Sequence, residues 1–347
     1  MRSRRRVTLE SVAAHAKVSR QTVSNAINAP DVVKPETLTR VLESIAELGY
    51  QPSRAARQLR TRRSQILGYA LGPGTYSVYG TIGDRFVHAL AQAAQERGYR
   101  IMLFAASSDD EEIVQFDELL SGADLDGFVL TNTHQADPRT TWLTERDVPF
   151  VTFGRPWDAD HGTHPWVDVD GAAGTAAATR HLHGLGHTRI AYLGWPHGSG
   201  VGDDRRTGWS STMTELGLSA DERWQETTDN ATEHAEVAAA RLLRRVAPSA
   251  VVCVSDTVGL GVVQAAESQG RRVAVTGFDD SAVSYVAGMT TIAQPIAESA
   301  RRALALVLRQ IGVESGGSAA RHELLPPTLV VRGTSIRPDP LSGTVGS

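Results

Sequence analysis

Thr8-Leu9-Glu10-Ser11-Val12-Ala13-Ala14-His15-Ala16-Lys17-Val18-Ser19-Arg20-Gln21-Thr22-Val23-Ser24-Asn25-Ala26-Ile27-Asn28 decides how the amino-terminal part of this chain folds. Leu9, Val12, Ala13 and Ala16 recur at helical spacing behind Thr8, a capping residue type. Lys17-Val18 interrupts the pattern, and Ser19 opens a second short helix that turns Val23, Ala26 and Ile27 inward. A third helix follows, with Pro35 at its first position, Glu36 near its positive end and the stripe Leu38, Val41, Leu42, Ile45 and Leu48, before Gly49 stops it. Three short helices with one tight turn predict a helix-turn-helix. The outer face of the second helix carries Arg20, Gln21, Ser24, Asn25 and Asn28. Any small bundle must solvate one face of each helix, usually with Glu and Lys. Arg, Gln and Asn are instead the types that bond base edges, so the face points to DNA.

The charge distribution agrees. The 347 residues carry 35 Lys+Arg against 39 Asp+Glu, a net charge of −4. Residues 1–63 hold 13 basic and 5 acidic side chains, leaving 22 basic and 34 acidic in the remainder. A +8 head on a −12 body fits a polyanion-binding module joined to something else. At 41% hydrophobic and 21% charged, the composition is that of a globular protein. The length predicts two or three domains. The single Cys253, in an apolar run, is expected to be a core thiol in a reducing compartment. The basic start has no apolar run behind it, and no stretch approaches a membrane span of ~20 residues. The expected setting is cytoplasmic, with no membrane contact.

From Ile66 onward apolar runs alternate with helical patterns. Candidate strands are 66–71, 100–104, 127–130, 150–153, 190–193, 250–254, 273–277 and 290–293. Helical segments fall near 85–97, 113–120, 172–185, 206–216, 236–246, 258–269 and 296–310. Such alternation predicts parallel sheets covered on both faces, with ligands at the carboxyl ends of the strands. About 230 residues of it exceed one comfortable core, so two doubly wound subdomains with a cleft are expected. Asn132 ends one strand and Arg155 follows another, so both face that cleft.

The head resembles LacI-family (lac/gal-repressor-type) regulators, from Val7-Thr8-Leu9-Glu10-Ser11-Val12-Ala13 through Asn28 and on to Glu47-Leu48-Gly49-Tyr50-Gln51-Pro52-Ser53 and Ala56-Arg57-Gln58-Leu59. The resemblance implies that Arg20, Gln21 and Asn25 read bases in the major groove while Ser19, Thr22, Ser24 and Asn28 brace phosphates. Lys34 stands where a small hydroxyl cap is common, trading a cap for a phosphate contact, and Asn25 replaces a frequent Arg, which moves preference from guanine to adenine. Residues 53–59 look like the family hinge, too short to be helical alone. Ala56 and Arg57 would lie on the minor groove, with Leu59 as an apolar wedge between base pairs.

The same family's periplasmic-binding-protein-like core is matched by His187-Thr188-Arg189-Ile190-Ala191, Arg205-Arg206-Thr207-Gly208-Trp209, Ser255-Asp256-Thr257-Val258-Gly259, Gly277-Phe278-Asp279-Asp280 and Thr290-Thr291-Ile292-Ala293-Gln294-Pro295. These blocks imply effector contacts from Arg205, Asp256 and Asp279, with Ser255 and Asn230 beside them. Asp accepts and Arg donates the hydrogen bonds a sugar needs. The resulting boundaries are 1–52 for the head, 53–63 for the hinge helix, 64–165 with 294–325 for the N-subdomain, 166–293 with 326–337 for the C-subdomain, and a flexible tail from 338 to 347.

His181, His183 and His187 form a tempting metal pattern, but without Cys or carboxylate partners they read as a helix end whose negative pole suits imidazolium. Gly198-Ser199-Gly200-Val201-Gly202 departs from a dinucleotide loop, and Asp203-Asp204 would repel a pyrophosphate. Both lysines, Lys17 and Lys34, lie in the head, so no phosphate-loop lysine exists. No metal, cofactor or catalysis is expected. The expectation is a homodimeric repressor of carbohydrate genes, released from a pseudopalindromic operator on double-stranded DNA by a mono- or disaccharide. Two other readings stay open: a corepressor-type regulator for a purine or other nitrogenous ligand, and a sugar-binding protein or enzyme that leaves DNA alone.

Overall fold

The computed structural model describes residues 7–50, 63–72, 82–122, 125–158, 162–313 and 321–335. The hinge candidates Ala56, Arg57 and Leu59, the tail from 338 and the side chain of Asn28 lie outside the described residues. The chain divides into two compact units, Met1–Ser64 and Gln65–Ser347.

In the first unit α1 (Leu9–Ala16), α2 (Arg20–Asn28) and α3 (Pro35–Leu48) close on a small core of Val12, Ala16, Val23, Ala26, Val41 and Tyr50. Thr8 caps α1 in a reciprocal box with Ser11, and Ser19 accepts from the Thr22 amide at 3.0 Å to start α2. Between them Lys17 takes a left-handed φ of 53°. Its amide and that of Val18 bond back to Ala14 and Ala13, which closes the tight turn. Arg40 Nε of α3 then donates to the Ala16 carbonyl at 3.0 Å, locking the third helix onto the end of the first. Leu42 departs from the expected stripe: it is 50% exposed, one position round the helix from buried Val41.

The second unit contains two parallel sheets. The first lobe has β1 (Ile66–Leu71), β2 (Arg100–Ala105), β3 (Gly127–Leu130), β4 (Phe150–Phe153), β5 (Trp166–Val169) and β11 (His322–Leu325), in the order β11-β5-β4-β3-β1-β2. Helices Ile82–Glu96 and Ile296–Gln310 cover one face through Phe86, Leu90, Ala303 and Val307. Phe116 and Leu143 cover the other from helices Asp109–Gly122 and Pro138–Glu145. The second lobe has β6 (Ile190–Gly194), β7 (Gln225–Thr227), β8 (Ala250–Cys253) and β9 (Ala274–Thr276) in the order β7-β6-β8-β9. Its core includes Tyr192, Trp209, Leu242 and Val251. Cys253 lies in that core, where burial pushes its thiol pKa up. A short antiparallel pair, β10 (Thr291–Ala293) with β12 (Thr328–Val330), lies where the chain passes between lobes.

The expected set of elements lacks strands Gln225–Thr227, His322–Leu325 and Thr328–Val330 and the short helix Ala282–Val286, and two further points need correction. The first-lobe sheet includes Trp166–Val169, paired to β4 and β11, so the chain leaves that lobe after Val169 and not at 165. Alternating Trp166, Asp168 and Asp170 disguise this strand, although the sheet buries its four residues on both faces. Helix Pro138–Glu145 also lies outside the expected set, despite the cap at Asp137, which accepts from the Arg139 amide at 3.0 Å, and Pro138 at its start. Its only apolar residues are the adjacent Trp142 and Leu143, so no apolar period marks it. Among the described residues, no helix is long and apolar enough to cross a membrane.

Candidate functional site

On the head, Ser19, Arg20, Gln21 and Lys34 are exposed, while Thr22, Ser24 and Asn25 are half-buried along the same helix. Gln21 Nε2 donates to Asn25 Oδ1 at 2.9 Å, joining two of the base-reading candidates on adjacent turns. Arg20 pairs with Glu10 at 3.4 Å, an exposed contact worth little against water. Lys34 caps α3 with its backbone but makes no side-chain cap bond.

In the body, the carboxyl ends of the second-lobe strands bring Trp195, Asn230, Ser255 and Asp279 to one side, next to the first turns of helix Gly200–Glu215. Arg205 is rooted there. Its NH1 donates to the Val254 carbonyl at 2.6 Å, its guanidinium lies 3.6 Å over the Phe278 ring, and it stands 3.6 Å from Asp279 Oδ1. Asp279 also accepts from Gln294 Nε2 at 2.7 Å. Burial raises the Asp279 carboxyl to about 6, with Arg205 opposing the shift and Asp256 adding to it. Asp279 and Asp280 both adopt left-handed backbone, with φ of 116° and 51°, a strain concentrated at this turn.

Arg205 Nε and the Nε1 of Trp195, whose ring lies 5.7 Å from the Arg205 guanidinium, are buried with no hydrogen-bond partner among the described residues, as is Trp157 Nε1 against Gly200. An unmade buried hydrogen bond costs about 1–3 kcal/mol, so such donors gathered beside a carboxylate suit a ligand rich in oxygen acceptors.

The other expected contacts divide. Asp256 is buried and its carboxylate is taken up by Thr291 Oγ1 and by the amide and hydroxyl of Ser281 at 2.7 and 2.8 Å. It braces the turn after Asp279. Ser255 caps its helix by accepting from the Val258 amide at 3.2 Å and donates to Asn230 Oδ1 at 2.6 Å. Asn132 follows β3 with a left-handed φ of 56° and is exposed. Arg155 follows β4, but its guanidinium is engaged: Nε donates to Asp168 at 2.6 Å and NH2 to Asp204 of the second lobe at 3.1 Å. Trp157 lies under Arg155 at 4.7 Å and fills the space where a side chain on Gly200 would have to go. Gly200 is therefore a close-approach glycine, and Ser199 caps the helix by accepting from the Gly202 amide at 3.2 Å.

Nothing in the sequence marks Arg85, whose NH1 donates to the carbonyls of Asp279 and Asp280 at 2.7 and 3.2 Å. Gln294 was visible only as part of the crossover motif. The histidines diverge: His181 bonds Ser335 at 2.9 Å and His187 bonds Ser249 at 2.9 Å. Burial pushes the His181 pKa down, against the imidazolium form expected at the helix end. Asp109, His134 and Asp137 bring ligand-type atoms within 4.8 Å of one another. However, the Arg139 guanidinium already occupies that cluster, 2.6 Å from Asp137, 2.8 Å from Glu112 and 3.3 Å from Asp109.

Comparison with known proteins agrees with this geometry. The model for bacterial regulatory proteins of the lacI family matches residues 8–53, and that for a periplasmic binding protein-like domain matches residues 179–335. The HTH-type transcriptional regulator CelR of Thermobifida fusca is 36% identical over 324 residues, covering 91% of this chain and 95% of that protein. A solved complex of a transcriptional regulator CelR with cellobiose is 31% identical, with a TM-score of 0.71 over 95% of this chain and all of its own. The lac repressor dimer bound to operator and the anti-inducer ONPF is 25% identical, with a TM-score of 0.75 over 95% of this chain and 99% of its own. A helix-turn-helix head, two parallel-sheet lobes and relatives matched over nearly their full length lead to one conclusion: this chain belongs to the LacI family of transcriptional regulators.

Proposed function

We propose that this regulator is a homodimeric repressor of carbohydrate genes whose effector is a saccharide held between the two lobes. The observation that carries the reading is the Arg205–Asp279 pair, 3.6 Å apart at the carboxyl ends of the second-lobe strands, with unpartnered buried N–H groups on Arg205 itself and on the adjacent Trp195. A carboxylate accepts from sugar hydroxyls, a guanidinium and indole N–H groups donate to sugar oxygens, and an indole face stacks on a pyranose ring. The cellobiose bound by a relative of 31% identity supports the ligand class. In this reading Asp279, Arg205, Trp157 and Trp195 touch the sugar, Asn132 and Asn230 stand at the rim, and Asp256, Ser255 and Arg155 hold the walls.

On DNA, two heads read half-sites through Arg20, Gln21 and Asn25, with Ser19, Thr22, Ser24, Asn28 and Lys34 on phosphates and Ala56, Arg57 and Leu59 in the central minor groove. Sugar binding changes the relation between lobes, the paired hinges separate and the operator is released. A coupling of about 1–3 kcal/mol per site is typical of such linkage.

The test is titration calorimetry of the full chain with cellobiose, maltose, lactose and glucose, alongside adenine and hypoxanthine. Saturable binding of a saccharide that Asp279→Asn abolishes supports the proposal. Binding of a purine alone contradicts it.

A further inference from the structure

We infer that Arg85 is a positioning residue of the effector site, reaching from the first lobe to hold the backbone that presents Asp279. The inference rests on the reading of Asp279 as the effector carboxylate. Arg85 lies in the first turn of helix Ile82–Glu96, whose Phe86 and Leu90 are fully buried against the first-lobe sheet, so its base is fixed to that lobe. Its guanidinium bridges the Asp279 and Asp280 carbonyls of the second lobe at 2.7 and 3.2 Å.

That turn needs holding. Two consecutive non-glycine residues take left-handed φ, each conformation costing on the order of 1–3 kcal/mol unless its surroundings impose it. Several bonds impose it from the second lobe and the crossover. The Asp279 amide donates to the Ile292 carbonyl at 2.8 Å, the Ser281 amide donates to Asp256 at 2.7 Å, Gln294 holds Asp279 Oδ1, and Arg332 NH2 donates to Asp280 Oδ1 at 2.6 Å. Besides Gln294, which sits at the crossover just ahead of helix Ile296–Gln310, Arg85 is the one of these groups that belongs to the first lobe. It is also cationic, and hydrogen bonds from a charged donor are roughly twice as strong as neutral ones. Separating the lobes therefore removes a support from the turn that aims the effector carboxylate, and seating a ligand on that carboxylate favours the arrangement in which Arg85 is engaged. Arg85 touches main chain and not ligand, so it acts through Asp279.

The experiment compares the full-length wild type with Arg85→Leu and Arg85→Lys. Without any ligand, amide hydrogen exchange across residues 279–281 should speed up by about tenfold or more in Arg85→Leu, with most protection restored in Arg85→Lys, which still donates to carbonyls. Exchange in strand Ala250–Cys253 should stay unchanged, which separates loss of the pin from general unfolding. Unchanged exchange at 279–281 in Arg85→Leu overturns the inference. In a second arm cellobiose is the probe: Arg85→Leu should bind it about tenfold or more weakly, with Arg85→Lys recovering most of the affinity. Equal affinity in Arg85→Leu and wild type also overturns the positioning role. Should the wild type bind no saccharide, the sugar reading fails, and the ligand-free exchange result alone decides on Arg85.

Discussion

Gln21 Nε2 donates to Asn25 Oδ1 across 2.9 Å, one helical turn apart on the outer side of the second head helix. The bond uses Gln21 Nε2 as donor and Asn25 Oδ1 as acceptor, so what the two amides can still offer a partner is the Asn25 Nδ2 donor and the Gln21 Oε1 acceptor. Adenine offers that complement in the major groove through N7 and N6, whereas guanine offers two acceptors. Asn25→Arg is therefore expected to move preference from adenine to guanine at one position of each half-site, with discrimination of about 1–3 kcal/mol, read by binding to a set of single-base operator variants. Equal weakening on every variant would mean that Asn25 does not touch a base.

Asp279 makes stability depend on pH in a direction opposite to that of most carboxylates. Its folded-state value of about 6 lies above the ordinary 3.8 because burial outweighs Arg205. Between those values the native state holds a proton that the unfolded chain has lost. This group's contribution is therefore fully present below about pH 4 and is lost as pH rises to about 6, to the extent of ~3 kcal/mol. Asp279→Asn should remove that pH dependence. Thermal unfolding at pH 5 and pH 7.5 checks it: the variant should gain on the wild type at the higher pH, and an identical pH profile would show that the carboxyl is not perturbed.

Arg139 is 4% exposed among Asp137 and Glu112, which are 5% and 6% exposed. Removing the cation by Arg139→Ala leaves two buried carboxylates without it, an expected loss of about 3–5 kcal/mol read from the urea midpoint. A loss below 1 kcal/mol would mean that water or a protonated Glu112 relieves the cluster, in keeping with the upward push that burial already gives Glu112.

Gly200→Ala places a methyl into the Trp157 indole and should cost about 1–3 kcal/mol through overpacking, with a change in tryptophan emission. Gly184→Ala, at a helix end with nothing nearby, is the control and should stay within about 0.5 kcal/mol of wild type. Equal effects from both would remove Trp157 from that contact.

How legible these features were depends on how local their cause is. The head could be read because caps, a turn and an apolar stripe all act within four residues, and only Leu42 fell on the wrong side of its stripe. The buried parallel strands were visible as apolar runs. Trp166–Val169 was hidden because Asp168 interrupts it, and that aspartate is satisfied by Arg155 from the neighbouring strand end and by the Val169 amide. In the cleft, Asp279 and Arg205 stood out by placement after a strand and in a helix. Asp256 could not be separated from them by type alone, since its commitment to Ser281 and Thr291 depends on residues 25 and 35 positions away. Arg85 is 194 residues from the carbonyl it holds, and no spacing rule spans that distance.

The central claim is that a saccharide on Asp279 releases DNA bound by the head. The most direct measurement is a mobility-shift titration of the full chain on the DNA upstream of its own coding sequence, with and without saturating cellobiose, for wild type and Asp279→Ala. The account predicts tight binding by both proteins without sugar, and release of the wild type alone by about tenfold or more when sugar is added. Tighter wild-type binding with sugar, or equal release of Asp279→Ala, would contradict it.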